Sequence, residues 1–246
     1  MNQISVVMIT KNAEKVLVQC LASLAKFDDV VLYDNGSSDQ TLNIAAQFDN
    51  VVVFQGEFMG FGRTKAHAAS LAKHDWIFSL DADEPMSPRL VEELLTMQLG
   101  EQTCYQVRRD NYFRGKHIKC CGWYPEYIVR LYHRNTTNFS DAKVHETVKI
   151  QGLSVKNLHH PIEHYSFFTV ADFLTKIQSY SEIYADDMRG KKKVSVFVGV
   201  LRGLFAFIKS YFFRKGMFYG FEGFVIAFFH GLGTTMKYLK LYEKNH

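Results

Sequence analysis

A chain of 246 residues is long enough for one sizeable buried core and does not require a second full domain. Hydrophobic residues at 47% and charged residues at 22% are those of a globular protein, which argues against a disordered or fibrous chain, while aromatic residues at 15% are high. Charge is unevenly placed: residues 1–188 carry 18 Lys and Arg against 23 Asp and Glu, net −5, whereas residues 189–246 carry 11 against 2, net +9, so the C-terminal part calls for an anionic partner.

The opening MNQISVVMITKN lacks a basic stretch followed by a long apolar run and a small-residue cleavage site, so a cytoplasmic location is predicted. Residues 4–9 (ISVVMI), 30–33 (VVLY), 51–54 (VVVF) and 76–80 (WIFSL) are short β-branched and aromatic runs that read as buried strands. Between them, AEKVLVQCLASLAK, TLNIAAQF and TKAHAASLAK space their apolar residues for helices. This alternation predicts an α/β fold with a parallel sheet and right-handed crossovers. Ser87 and Pro88 form an N-cap and N1 pair for a helix over RLVEELLTMQ. The stretch 104–165, with strand-like CYQVRR and YIVRLY, reads as mixed β structure beside the parallel sheet, and the pattern is helical from 169 onward. Four cysteines, Cys20, Cys104, Cys120 and Cys121, show no C-x-x-C spacing and read as reduced structural thiols.

Open α/β sheets bind ligands outside the carboxyl ends of their strands, and every early strand here runs into polar residues. ISVVMI leads into Thr10-Lys11-Asn12, VVLY into Asp34-Asn35-Gly36-Ser37-Ser38-Asp39, and WIFSL into Asp81-Ala82-Asp83-Glu84. In the second cluster Gly36 suits a tight turn and Ser37, Ser38 and Asp39 are helix N-cap residues, whereas Asp34 at the strand end carries no capping duty and points to a nucleoside. In the third, Asp81 and Asp83 at a turn can address one divalent cation, Mg²⁺ or Mn²⁺, that bridges to a diphosphate and neutralises the charge of the leaving group.

SVVMITKN, DNGSSDQT and DWIFSLDADE, in that order and at this spacing, resemble the nucleotide-binding half of family 2 glycosyltransferases with the GT-A fold. GFGRTKAHA, GWYPEYIVRLYHR, KVHETV and KSYFFRKGMFYGFEGF resemble more narrowly the lipopolysaccharide inner-core β-1,4-glucosyltransferase group of Gram-negative bacteria. One departure is visible: Lys65 is followed by Ala66 and His67 where that group usually carries Asn. The resemblance implies transfer of a hexose, most often glucose from UDP-glucose, to a heptose of the lipid A–core precursor at the inner face of the inner membrane. It also implies a Rossmann-like, mainly parallel GT-A sheet with an amphipathic helical C-terminal extension.

Thr10, Asn12, Asp34, Gly36, Ser37, Lys65, Asp81 and Arg130 are therefore read as nucleotide-sugar contacts, with Lys65 and Arg130 suited to phosphate. Asp83 and Asp81 are read as metal ligands, with His145 completing the sphere or touching the diphosphate. An inverting transfer needs a carboxylate across the pocket to take the acceptor proton; both Glu126 and Glu146 qualify, and Glu126 is preferred. His159, His160 and His164 read as structural, because Pro161 breaks any helical metal-binding face.

The tail sequences VSVFVGVLRGLFAFIKSYFFRKG and FVIAFFHGLGTTM fit helices lying in a membrane interface, since Arg202 and Lys209 interrupt the first and the second is short for a span. Nucleic acid, the other anionic partner, is disfavoured because stacking platforms for single strands normally sit on strands. The predicted organisation is a catalytic domain over 1–187, with a nucleotide-sugar half over about 1–100 and an acceptor half over about 101–187, followed by a membrane-associating region over 188–246. Alternatives are a sugar transferase with another donor or a polyprenyl-phosphate acceptor, a nucleotidyltransferase, and a non-catalytic nucleotide-fold module at the membrane surface.

Overall fold

The computed structural model describes residues 2–140 and 146–246. It contains two compact units, one of residues Met1–Asp110 with Glu126–His164 and the other of Asn111–Pro125 with Tyr165–His246.

The first unit alternates strand and helix as the apolar pattern predicts: β1 (Ile4–Thr10), α1 (Glu14–Ser23), β2 (Val30–Asp34), α2 (Thr41–Ala45), β3 (Val51–Gln55), α3 (Phe61–Ser70), β4 (Trp76–Ser79) and α4 (Pro88–Thr96). Strands β3, β2, β1 and β4 lie side by side and run parallel, with Val6 opposite Val30 and Phe78 opposite Val6. Beyond β4 the direction changes: β7 (Tyr127–His133) is antiparallel to β4, β5 (Thr103–Phe113) is antiparallel to β7, and β8 (Ser154–Asn157) is parallel to β5. The sheet is thus mostly parallel with an antiparallel extension.

Successive residues of the central strands point to opposite faces, which splits the core in two. Val6, Met8, Leu32 and Phe78 pack with Leu17 and Leu21 of α1 and Leu90 and Leu94 of α4. Val7, Val31, Tyr33 and Ile77 pack on the other face with Ala68 and Ala69 of α3. Because both faces are covered, these strands are near-continuous apolar runs, and chain direction brings the ends of β1, β2 and β4 to one edge. Helix α4 starts as its sequence requires: the Ser87 hydroxyl accepts from Leu90 N at 3.2 Å and Pro88 occupies the first turn.

The second unit holds β6 (Lys116–His117), α5 (Val170–Met188), α6 (Val196–Ile208), a π-helical turn Lys209–Phe213, a 3₁₀ turn Gly216–Tyr219 and α7 (Gly220–Asn245). Strand β9 (Ile162–Phe167) begins in the first unit and ends in the second. Helix α5 opens on a capping box in which Thr169 and Asp172 exchange side-chain-to-backbone hydrogen bonds. Phe173 stacks on Phe229 and meets Phe113 edge to face, in one apolar cluster with the buried thiols Cys120 and Cys121. Helices α5 and α7 are tied by Lys240, 2.8 Å from Glu182, and by Lys244, which pairs with Glu182 and Asp186.

Candidate active site

The strand-end residues of β1 and β2 form one hydrogen-bonded group. Asp34 is fully buried, and its carboxylate accepts from Gly36 N at 3.0 Å, from Ser37 N at 2.9 Å and from the Ser37 hydroxyl, while Thr10 Oγ1 lies 3.4 Å away. This corrects the expectation that Asp34 has no capping duty: it closes the turn that follows its own strand. The turn bends through Gly36 at φ +86°, a conformation that favours glycine. Asn12 locks the two loops together, its N–H donating to Ser37 Oγ at 2.8 Å and its side-chain oxygen accepting from Ser38 N at 2.8 Å. Asp39 accepts from Thr41 N at 3.0 Å and from Glu14 N at 3.1 Å, so one carboxylate holds the first N–H of both α2 and α1, although the N-cap position of α2 is Gln40 and not Ser37, Ser38 or Asp39. Thr10, Asn12, Asp34, Gly36 and Ser37 are therefore brought together as one polar rim.

The turn after β4 anchors a second group, an alternating chain of seven charged side chains. Lys65 Nζ on α3 lies 2.9 Å from Glu146 Oε1 and 3.0 Å from Asp81 Oδ1. Arg130 Nη2 on β7 donates to Asp81 Oδ2 at 2.7 Å and to both oxygens of Glu84. Arg109 on β5 donates to Glu84 Oε1 at 3.3 Å and grips Glu126 with Nη2 and Nε, at 2.6 and 3.0 Å. Glu146, Asp81, Glu84 and Glu126 thus alternate with Lys65, Arg130 and Arg109, leaving one excess negative charge.

Position along the chain sets exposure. Glu84 is fully buried and Arg130 nearly so, while the Asp81 side chain is 33% exposed. Burial raises the pKa of Asp81, but Arg130 and Lys65 outweigh it and hold the carboxyl well below the usual range. For Lys65, burial favours the neutral amine, yet the charge of Asp81, with Glu146 behind it, lifts its pKa above the ordinary value. Arg130 and Arg109 are likewise held charged against the cost of their burial, by Asp81 and Glu84 and by Glu126 and Glu84 respectively.

Asp83, on the same turn, has its carboxylate 3.6 Å from His164 Nε2 on β9. His145 lies outside the described residues. Among the described residues no group of three or more His, Cys, Asp or Glu side chains converges as a ready-made cation site. The donor types nonetheless suit a cation shared with a ligand: a carboxylate oxygen from Asp83 and an imidazole nitrogen from His164 are acceptable to Mn²⁺, and the carboxylate to Mg²⁺, when phosphate and water fill the remaining positions, whereas both oxygens of Asp81 are engaged by Lys65 and Arg130.

Three participants were not assigned by the sequence. In the sequence Glu84 stands in the acidic cluster without a role, Arg109 is only part of a strand, and His164 reads as structural. A signal existed for Arg109, a charged residue within the apolar strand segment CYQVRR; nothing local marks His164, since its partner is Asp83 on another element.

The model for glycosyl transferase family 2 matches residues 5–147, more than half the chain. The uncharacterized glycosyltransferase RT0209 of Rickettsia typhi is 26% identical and aligns with 99% of this chain and 88% of its own length. The lipopolysaccharide core biosynthesis glycosyltransferase LpsC of Rhizobium meliloti is 25% identical, over 98% of this chain and 93% of its own. In fold, the crystal structure of S. aureus TarS 1-349 with UDP superposes with a TM-score of 0.50 at 18% identity, covering 89% of this chain and 75% of that one. The mostly parallel α/β sheet with its helical C-terminal region is accordingly of the GT-A type, and the chain is a glycosyltransferase that belongs to glycosyl transferase family 2.

Proposed function

We propose that the protein is an inverting, metal-dependent hexosyltransferase that moves glucose from UDP-glucose to a heptose of the lipopolysaccharide inner core, working at the inner face of the inner membrane. The observation that carries this reading is the ion-pair chain: it joins the acidic turn after β4 to a phosphate-type cation, Lys65, and to both carboxylates suited to act as the base. The likeness to LpsC supports the lipopolysaccharide acceptor.

In this reading Thr10, Asn12, Asp34, Gly36 and Ser37 form the nucleoside rim, with Asp34 acting through the turn it closes. Lys65 meets the diphosphate, and Arg130, whose guanidinium is committed to Asp81 and Glu84, positions the acidic turn. Asp83, with His164 beside it, and Asp81, on yielding one of its ion pairs, would hold Mg²⁺ or Mn²⁺, while the assignment of His145 to the same cation rests on the sequence alone. The cation supplies neutralisation of the charge that develops on the departing UDP.

Inversion requires a base that removes the acceptor proton as the sugar carbon is attacked from the face opposite the diphosphate. Glu146 is the better of the two carboxylates. Both oxygens of Glu126 are gripped by Arg109, and taking a proton there would sacrifice two charge-assisted hydrogen bonds. Glu146 pairs with Lys65, a cation that Asp81 also holds and that a diphosphate would attract. Glu126 then orients the β5–β7 edge through Arg109.

The basic segment 189–246 holds the enzyme at the anionic membrane surface where the lipid-borne acceptor lies. A donor screen tests the assignment: with heptosylated lipid A core as acceptor, UDP should be released from UDP-glucose in preference to other nucleotide sugars. Release of pyrophosphate, or turnover only with a polyprenyl-phosphate acceptor, would overturn it.

A further inference from the structure

In the second unit, the face that α6 and the following turns present to solvent is apolar, while the seam between α6 and α7 is lined by small residues. Phe197, Phe205, Phe213 and Phe218 are 70%, 63%, 77% and 73% exposed. At the seam, a Cβ on Gly199 would lie 2.6 Å from Tyr238 Cβ, one on Gly203 would lie 1.9 Å from Thr235 Oγ1, and one on Gly231 would lie 3.0 Å from Phe207 Cβ. A helix folded for water buries its large apolar residues and exposes polar ones; α6 does the reverse, burying Gly199 and Gly203 while Phe197, Leu204 and Phe205 face outward. Small residues at a close seam with large apolar residues outside is the packing expected where the surroundings are as apolar as the side chains.

The charges agree with that setting. Arg202 is the only charged residue within Val196–Ile208, and it folds back so that Nη1 donates to the Tyr238 hydroxyl on α7 at 2.7 Å. The other cations flank the helix: Lys191, Lys192 and Lys193 precede it, and Lys209, Arg214 and Lys215 follow. The run Val196–Phe213 is long and apolar enough to cross a membrane by length and composition, but its 18 residues extend only about 27 Å, and its cations suit a position along a surface rather than across it.

We infer that the α6–α7 hairpin is a monotopic wedge, seated along one leaflet of an anionic phospholipid bilayer, with Phe213 and Phe218 beneath the headgroups and Lys209 and Lys215 against lipid phosphate. The inference rests on the membrane-surface reading given above and specifies how that contact is made. A second copy of the chain is a poorer occupant, because it would bring one strongly basic face against another.

The test uses the full chain and vesicles of phosphatidylethanolamine with phosphatidylglycerol. The F213S/F218S variant, altered only at exposed positions, should lose vesicle affinity about tenfold or more at both low and high salt, with unchanged circular dichroism. The K209E/K215E variant should lose it mainly at low salt. In F213W the new tryptophan should be quenched most by lipids brominated near the headgroup end of the acyl chain. Wild-type affinity in F213S/F218S, or quenching strongest from chain-end bromines, would overturn the wedge while leaving the membrane-surface reading intact. Failure of the wild-type protein to bind these vesicles, or its self-association through this face, would overturn both.

Discussion

Arg130 and Glu84 form the buried centre of the site, with Arg130 Nη2 2.5 Å from Glu84 Oε2 and the Glu84 side chain without solvent exposure. A charge so placed is tolerated only while its partner is present. Arg130→Met should therefore destabilise the protein by about 3–5 kcal/mol in urea unfolding. The paired change Arg130→Met with Glu84→Gln should recover part of that loss, giving a coupling of about 0.5–3 kcal/mol in a double-mutant cycle.

Kinetics should separate the two glutamates. Glu146→Gln is expected to lower kcat by about a hundredfold to ten-thousandfold, the usual contribution of a positioned general base. Glu126→Gln, which weakens only the grip of Arg109, should cost about tenfold or less. The reverse ranking would transfer the role of base to Glu126.

Acid should loosen the second unit through Glu182. Side-chain hydrogen bonds from Lys240 and Lys244 lower its pKa from 4.5 to about 2. Because the folded value is depressed, the stability Glu182 contributes is complete above its unfolded pKa and is lost as pH falls from about 4.5 toward 2. Glu182→Gln should lower the thermal midpoint at neutral pH and leave little difference from wild type at the acid end of that window.

The helix seam makes a steric prediction. A methyl group on Gly203 would meet Thr235 Oγ1 at 1.9 Å and Gly231 O at 2.8 Å, and backbone cannot step aside cheaply. Gly203→Ala should cost about 1–3 kcal/mol, and Gly203→Ala with Thr235→Ala should relieve part of it, as measured by chemical denaturation.

Much of this architecture is legible in the sequence because burial on both faces leaves β1, β2 and β4 as apolar runs that end abruptly in polar residues. Ser87-Pro88 announces α4, and the acidic turn after WIFSL announces the site. Residues whose meaning depends on a distant partner are not legible. Glu84 looks like a third carboxylate of a solvated turn until Arg130 and Arg109, from two other strands, are seen to bury it. His164 gives no sign of its partner until β9 carries it to within 3.6 Å of Asp83. Asp34 shows the opposite failure: its strand-end position pointed to a ligand, and short-range bonds to Gly36 and Ser37 show that it first builds its own turn.

The most direct test of the central claim is the mass of heptosylated lipid A core after incubation with UDP-glucose, Mg²⁺ or Mn²⁺ and either wild-type protein or Asp83→Ala. The account predicts a gain of one hexose with wild type, lost in chelator and in Asp83→Ala. An unchanged acceptor mass with wild type, or equal gain in chelator and in the variant, would contradict it.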